Sequence, residues 1–454
     1  MELISHVLWT ISTYLWGLPL SAVLVGTGVY LTIKLGFIQL RGFHRAFHYI
    51  LAKDGDHIGE LSYFQAVSTA MSSTIGTGNI VGVATAISIG GPGAMLWMWL
   101  VAILGMATKY SECVLAITYR DRGLYGVRGG PMYYIEKGLG KKYRPLAIMF
   151  SACAAVAVLG AGNMVQSNAV SSAITELFLP VFPVSPGLLK SITGALLCLG
   201  LGLVIVGGIR RIGRVAGYMM PFMAIMYIIF GITTLALNSE KIIPALLQII
   251  YCTPSPTAAV GGFAGGGVWL AIRMGVARGT FSNEAGLGSA PIAYATIKTD
   301  HPVKGGLVAL LEPFVDTIIV CTITALVIIT SGLWETGLSG AVLTSRAFET
   351  QLPVFGSLVV PLSLCLFAFT SAMGWYYYGE KSIEYLVGSG WIPAYKVVFL
   401  IVLFIGAITR LNIVWNLADI TNAMMALPNL IALLLLSGVV KEKTEDYFNR
   451  KQHG

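Results

Sequence analysis

The chain has 454 residues, of which 56% are hydrophobic and only 11% are charged, and its mean hydropathy is +0.77. Soluble globular proteins carry about 25% charged residues, so this composition excludes an ordinary soluble domain and indicates a protein that lies in lipid. The formal net charge of +8 does not indicate a nucleic-acid-binding protein, because no nucleic-acid fold signature accompanies it. The six cysteines form no C-x-x-C pair, which favours buried thiols over a disulfide or metal framework.

Long apolar runs occur along the whole chain. A helix needs about 20 mostly apolar residues to cross roughly 30 Å of hydrocarbon, and no basic stretch marks the first run as a cleavable signal. The sequence therefore predicts an all-α polytopic membrane protein with a single transmembrane domain over residues 1–454. Eleven transmembrane helices are predicted, at 7–33, 62–90, 92–118, 145–175, 188–209, 215–237, 258–297, 303–332, 352–379, 393–410 and 412–437.

Basic residues mark the cytoplasmic loops of membrane proteins. If the N-terminus lies outside, 22 of the 29 lysines and arginines fall in cytoplasmic loops or in a tail at 438–454, and only four fall in outer loops. The other three lie within predicted spans: Lys109, Arg273 and Arg278. This asymmetry predicts a multi-pass protein of the cell membrane with its N-terminus outside and its C-terminus in the cytoplasm.

Two of the predicted helices are interrupted by glycine and asparagine. Apart from the first helix at 7–33, the helices divide into two sets of five, at 62–237 and 258–437, and an odd number forces the second set to enter the membrane from the opposite side. Each set opens with an interrupted helix, at 72–79 and at 279–288. Paired interruptions at matching places in two inverted halves point to a transporter binding site. The sequence thus predicts one N-terminal helix plus a five-plus-five inverted repeat with two discontinuous helices.

The first interruption contains Gly76 and Gly78, which allow the backbone to unwind. Free N–H groups at the start of the second half-helix attract an anion such as a carboxylate, and free carbonyls at the end of the first half-helix attract a small cation. The alternative is a small-residue face for helix packing at Gly78 and Gly82. The functional interpretation is favoured because the interruption recurs in the second half.

Three stretches resemble signatures of the alanine or glycine:cation symporter family, and the similarity extends over nearly the whole chain. They are GTGN at 76–79, GGPGAMLWMW at 90–99 and GTFSNEAGLGSAP at 279–291. The resemblance implies sodium-coupled uptake of alanine or glycine on the five-plus-five fold that the family shares with the bacterial leucine transporter.

That more distant relative implies binding residues in the interrupted helices. The N–H groups of Thr77 and Gly78 would receive the substrate carboxylate, beside Asn79. The resemblance also implies a sodium site made by backbone carbonyls and hydroxyls of Ser72, Ile75, Thr370 and Ser371. The alternative for the two hydroxyls on the later helix is a hydrogen bond to their own helix.

Further substrate contacts are predicted from polar and aromatic residues in apolar runs. Asn163 and Gln166 are amides that need partners when buried, and those partners are neighbouring helices or a ligand. Thr280 lies in the second interruption, and Phe281 and Trp375 are candidate lids over a small side chain, with ordinary packing as the alternative. Each extra methylene changes binding by about 1–3 kcal/mol, so a crowded pocket would admit alanine and exclude leucine.

Charged residues within the predicted spans are candidates for function or for pairing. Lys109 and Glu112 are three residues apart and are expected to pair. Glu312 and Asp316 are four apart and share one helix face. They are candidates for a cation or proton path, and pairing with one of the two arginines in the spans is the alternative.

Asp419 lies in the outer half of the last predicted span. An extracellular gate formed by Asp419 and Arg278 is one interpretation of this pair. The leucine transporter carries its gating arginine on the first interrupted helix, at a position near Gly82 here, so that gate is absent or rebuilt.

Other classes of protein fit less well. The chain has no Gly-x-x-x-x-Gly-Lys-[Ser/Thr] loop, so ATP-driven transport would require a separate subunit, and no ATPase subunit is expected. Ser289 has no histidine placed as its base, which argues against a hydrolase or any other enzyme. A channel needs no inverted repeat within one chain. The nearest alternative is a proton-coupled amino-acid permease, although no histidine lies in the middle of a span. The expected partners are a small amino acid, sodium and membrane lipid, with no cofactor and no nucleic acid.

Overall fold

The computed structural model describes residues 2–51, 59–123, 126–179, 184–251, 264–409 and 411–450. Nearly all of these residues lie in helices, and they include one short antiparallel hairpin. The elements are α1 (Glu2–Leu15), α2 (Leu18–Lys34), α3 (Ile38–Ile50), α4 (Tyr63–Thr74), α5 (Gly78–Gly90), α6 (Ala94–Thr118), β1 (Asp121–Gly123), β2 (Gly126–Arg128), α7 (Pro131–Gly138), α8 (Lys141–Phe178), α9 (Pro186–Ile205), α10 (Gly208–Leu237), α11 (Ile242–Tyr251), α12 (Ala264–Asn283), α13 (Ala290–Tyr294), α14 (Pro302–Ser331), α15 (Gly340–Gln351), α16 (Gly356–Val387), α17 (Ile392–Ile408) and α18 (Leu411–Arg450).

Within the described residues, nine helical stretches are long and apolar enough to cross a membrane. They coincide in position with nine of the eleven predicted segments. The other two predicted segments are the interrupted ones, 62–90 and 258–297, and each is divided into two helices, α4/α5 and α12/α13. Residues 258–263 lie outside the described residues. The all-α membrane fold is confirmed, and the count of eleven helices stays a prediction.

The first break lies between α4 and α5. α4 begins with a capping box, in which the Ser62 hydroxyl accepts from the Gln65 N–H and the Gln65 side chain accepts from the Ser62 N–H. It ends where Ile75 adopts an extended conformation, with φ −71° and ψ 98°. Gly76 follows, and α5 opens with a wide π-helical turn over Gly78–Gly82, a feature often found at functional sites. The prediction of a break in this segment is confirmed, although residues 72–74 still belong to α4.

The second break is the non-helical stretch 284–289, called here the 284–289 link. Glu284 ends α12 with a left-handed conformation at φ 56°, and Gly286 and Gly288 follow at φ 89° and 80°, where glycine meets no steric penalty. The prediction that the interruption begins at residue 279 is wrong, because 279–283 continue α12 as regular helix. The chain unwinds only where the left-handed residues begin.

Burial separates central from peripheral helices. Within the apolar stretch of α6, 83% of the residues are buried inside the protein, against 22% for α9. α12 packs on α5 and α6, whereas α4 packs on α10 and α16. Leu196, Leu199 and Leu203 of α9 are exposed, as expected for a helix that faces lipid. The broken helices therefore lie in the interior of the bundle.

Several elements outside the predicted spans were not predicted. They are α3, α7, α11, α15 and the β1–β2 hairpin, and each is too short to register as a membrane span. α18 also continues to Arg450, so much of the stretch predicted as a tail at 438–454 is helical.

Candidate substrate and ion site

The two breaks contact each other directly. A Cβ atom added at Gly78 would lie only 2.9 Å from the Cα atom of Ser282 in α12, so this crossing of two backbones requires glycine. A Cβ atom at Gly76 would overlap the hydroxyl of Ser371 in α16 and would lie 3.4 Å from Oε1 of Gln166 in α8. The first break thus lies at the junction of α8, α12 and α16.

Asp316 in α14 connects both broken helices. Its Oδ1 accepts a hydrogen bond from Nδ2 of Asn79 at 2.7 Å, and its Oδ2 accepts from the hydroxyls of Ser282 at 2.8 Å and Thr317 at 2.7 Å. Asn79 Oδ1 in turn accepts from the N–H of Gly76 at 2.8 Å. The side chain of Asn79, predicted in the substrate site, is therefore directed to protein groups. The sequence did not identify this role of Asp316, although a carboxylate inside an apolar span is itself an indication of a functional residue.

Three predicted substrate residues carry buried polar atoms with no hydrogen-bond partner in the described part of the chain. These atoms are the hydroxyls of Thr77 and Thr280 and Oδ1 of Asn163. Buried polar atoms nearly always have partners, so these atoms have capacity for a ligand. Gln166 Oε1 lies 3.4 Å from the N–H of Thr77, and Asn163 Nδ2 donates to the carbonyl of Phe399 at 2.7 Å.

The two aromatic candidates lie in different places. Phe281 packs against Trp415, with ring centroids 4.9 Å apart. Trp375 packs on the backbone of Gly162, where an added Cβ atom would overlap it, within a π-helical turn of α8. Phe281 is therefore part of the contact between α12 and α18, and Trp375 is part of the contact between α8 and α16.

Among the four predicted sodium ligands, two come together. The hydroxyl of Ser371 lies 3.4 Å from the carbonyl oxygen of Ile75 at the end of α4. The hydroxyl of Ser72 donates to the carbonyl of Thr69 at 2.8 Å. The hydroxyl of Thr370 bonds carbonyls of its own helix at 3.0 Å, which is the alternative considered for it from the sequence.

An ion pair closes the bundle beside Phe281. Arg278 of α12 binds Asp419 of α18 through two parallel hydrogen bonds of 2.9 and 2.8 Å, the strong bidentate geometry of arginine and carboxylate. The guanidinium also lies over the Trp415 ring at 4.8 Å. Arg278 Cδ is 4.0 Å from the position of a Cβ atom at Gly82, so an arginine from the second broken helix occupies space beside the first.

At the opposite end, the chain segments before α4 and after α13 are joined. Leu61 and Ile297 form a parallel β-bridge, and the N–H of Glu60 donates to the carbonyl of Thr296 at 2.7 Å. Arg120 donates to the carbonyl of Ile297 at 2.7 Å. The breaks thus lie between this backbone pairing and the Arg278–Asp419 ion pair.

An open cleft of ≈ 630 Å³ lies elsewhere, at the ends of α8, α15 and α16. Glu176, Arg346 and Glu349 are among its lining residues, and no residue of either break is. The unpartnered polar atoms at the closely packed breaks, rather than this cleft, identify the candidate site.

Apolar spanning helices around two broken helices that meet in the interior are typical of membrane transporters. The structure is similar to the crystal structure of MhsT in complex with L-phenylalanine, with a TM-score of 0.62 and 16% sequence identity over 84% of this chain and 89% of that chain.

The sequence model of the Sodium:alanine symporter family matches residues 1–454. The chain is 46% identical over 447 residues to the sodium/alanine symporter AgcS of Methanococcus maripaludis, covering 96% of each protein. It is 35% identical over 459 residues to the probable sodium/glutamine symporter GlnT of Bacillus subtilis, covering 100% of this chain and 92% of that protein. The chain therefore belongs to the sodium:alanine symporter family, which confirms the resemblance seen in the sequence. It is a cation-coupled amino-acid transporter of the multi-pass membrane type and not an enzyme.

Proposed function

We propose that this protein carries alanine or glycine into the cell together with sodium, by alternating access. The observation that carries the proposal is the direct contact of the two broken helices at Gly78 and Ser282, where the buried hydroxyl of Thr77 has no hydrogen-bond partner among the described residues. The names of two relatives, a sodium/alanine and a sodium/glutamine symporter, agree on the ion and differ on the amino acid. These names therefore leave the size of the substrate open, and it depends on the side chains around the binding site of this chain.

The charges of an amino acid match the groups around the first break. Its carboxylate fits the N–H groups of Thr77 and Gly78 at the start of α5, because a helix N-terminus favours an anion. Its ammonium group needs oxygen acceptors, which Asn163 Oδ1 and Gln166 Oε1 supply. The long 3.4 Å contact between Gln166 and the Thr77 N–H is weak, so a bound carboxylate replaces it at little cost.

Sodium fits at the end of α4. The carbonyl of Ile75 and the hydroxyl of Ser371 already lie together, and a carbonyl near Ser72 completes the backbone part of the site. Thr370 joins as a ligand when its side chain rotates away from its own helix. The ion and the substrate then share one break, so that each stabilises the backbone conformation that binds the other.

The remaining architectural features are part of the same proposal. The eleven helices form one transmembrane domain, with an extra helix at 7–33 and inverted repeats at 62–237 and 258–437. The positions of α4/α5 and α12/α13 at the openings of the two repeats support this division. The distribution of 22 against four basic residues supports an N-terminus outside the cell and a cytoplasmic tail at 438–454.

Uptake of labelled alanine into proteoliposomes tests the proposal. At a fixed membrane potential, an inward sodium gradient should drive accumulation, and replacement of sodium by potassium or choline should abolish it. Equal accumulation with a proton gradient and no sodium would contradict sodium coupling and would support the proton-coupled permease.

Thr280→Val tests the site itself. Because the Thr280 hydroxyl has no hydrogen-bond partner in the part of the chain that the structure describes, its removal should leave folding intact and weaken alanine binding by up to about tenfold, the effect of one hydrogen bond. Thr330→Val is the matched control, since that hydroxyl is buried but already bonded to its own helix and to Gln351. If the Thr280→Val protein bound alanine as tightly as the wild-type protein, Thr280 would not be a substrate-binding residue.

A further inference from the structure

A second buried polar cluster lies beside the 284–289 link and is not used by the proposed transport site. Its centre is Lys109 of α6, whose Nζ lies 3.1 Å from Oε1 of Glu312 in α14, with both side chains fully buried. The sequence-based pairing of Lys109 with Glu112 is wrong, because the lysine turns to α14. Glu112 and Glu284 nevertheless lie within electrostatic range of Lys109.

Glu112 is held by uncharged donors. Its Oε1 accepts the N–H of Gly288 at 3.0 Å and Nδ2 of Asn429 at 2.6 Å. Its Oε2 is buried and has no hydrogen-bond partner in the described part of the chain. Glu284, the first residue of the link, accepts the hydroxyl of Ser289.

The charges in this cluster do not balance. Three ionised carboxylates and one lysine would leave two negative charges in a region closed to water. Such uncompensated burial costs several kcal/mol per ion, and protonation of a carboxyl group removes the cost. Among the described residues, the other titratable groups that face the cluster supply no compensating cation. Asp316, four residues after Glu312 on the same helix, adds a further carboxyl group. The remaining groups are a thiol and three phenols, which are uncharged at neutral pH: Cys113, Tyr134, Tyr294 and Tyr378.

We propose that the glutamate cluster around Lys109 is a proton-binding site, and that Glu112 holds the proton in this conformation. Glu312 remains ionised because it contacts Lys109 directly. Both hydrogen bonds to Glu112 end on Oε1, so Oε2, which has no partner among the described residues, can carry the proton without the loss of either bond.

The site is connected to the predicted cytoplasmic end of the bundle. The hydroxyl of Tyr134 in α7 donates to Asn429 Oδ1, and Asn429 donates to Glu112. Glu112 also holds the backbone of Gly288 in the link. Loss of the proton would place a second uncompensated charge beside the link, so the deprotonated protein favours a conformation in which water reaches Glu112. This consequence rests on the proposed function, whereas the bound proton does not.

Infrared spectroscopy of the purified full-length protein in lipid tests the proton directly, without substrate or transport. The wild-type protein should show the carbonyl band of a protonated carboxylic acid at neutral pH, and the band should disappear at alkaline pH. Glu112→Gln, which mimics the neutral acid, should fold and lack this band. Glu176→Gln, outside the cluster, should retain it. A wild-type spectrum without the band would overturn the site, and a band that persists in Glu112→Gln would overturn the assignment to Glu112.

A stability comparison separates the proton holder from the ion-pair partner. Glu312→Gln leaves Lys109 buried without its partner and should lower the thermal unfolding temperature strongly, whereas Glu112→Gln should change it little. Lys109→Met combined with Glu312→Gln should recover much of the loss, because the pair is removed together. Equal destabilisation by Glu112→Gln and Glu312→Gln would contradict a neutral Glu112.

Discussion

Replacing Asp316 by asparagine changes one atom at the junction of the two broken helices. The carboxylate accepts three side-chain hydrogen bonds, from Asn79 at 2.7 Å, Ser282 at 2.8 Å and Thr317 at 2.7 Å. An asparagine keeps one acceptor oxygen and places an amide nitrogen where the other oxygen was. Thr317 already accepts from Asn283 at 3.2 Å, so it is poorly placed to accept from that nitrogen as well. At least one hydrogen bond to a charged group is therefore lost.

A hydrogen bond to a charged group contributes about 1.5–3 kcal/mol, which corresponds to a roughly ten- to hundredfold change in an equilibrium constant. We expect Asp316→Asn to reduce kcat/KM for alanine uptake by that factor, because both breaks lose part of their support. The assay is the initial rate of labelled alanine uptake in proteoliposomes at fixed sodium, with thermal unfolding measured on the same preparation. Glu176→Gln, a carboxylate outside this network, is the control. Wild-type uptake by a folded Asp316→Asn protein would refute the role of Asp316.

Three further variants test other parts of the site. Ser371→Ala should raise the sodium concentration for half-maximal uptake by about tenfold, because it loses one oxygen ligand worth roughly 1.4 kcal/mol. Ser382→Ala on the same helix should leave this concentration unchanged. If the two variants had the same sodium dependence, Ser371 would be excluded as a ligand. Gly78→Ala should abolish uptake, because its Cβ atom would lie 2.9 Å from the backbone of α12; normal uptake would show that the crossing is looser than described. Arg278→Gln and Asp419→Asn should each make an engineered cysteine beside the pair more accessible to a hydrophilic thiol reagent. Their effects should not add, since both remove the same ion pair; fully additive effects would exclude a joint gate.

Much of the fold follows from local sequence patterns. Nine spans could be located because about 20 apolar residues leave a clear signal in the chain. Both breaks could be located because glycines interrupt that signal, at positions 76 and 78 in the first segment and at 286 and 288 in the second. The exact unwound residues could not be predicted, since glutamate rarely adopts the left-handed conformation that Glu284 has at φ 56°.

The partners of the buried charges could not be predicted in the same way. Lys109 was expected to pair with Glu112, three residues away, but it binds Glu312, which is 203 positions away in the chain. Asp316 meets Asn79 across 237 positions. Helical spacing identifies neighbours on one helix, whereas these contacts depend on how separate helices pack. The Arg278–Asp419 pair was one interpretation considered from the sequence, and the structure brings these two side chains together.

An experimental structure determined with saturating alanine and sodium would test the central claim most directly. We expect density for the amino acid beside the N–H groups of Thr77 and Gly78, and an ion beside the Ile75 carbonyl and the Ser371 hydroxyl. Alanine density only in the open cleft beside Glu176 and Arg346, with the two breaks still in direct contact, would contradict this claim.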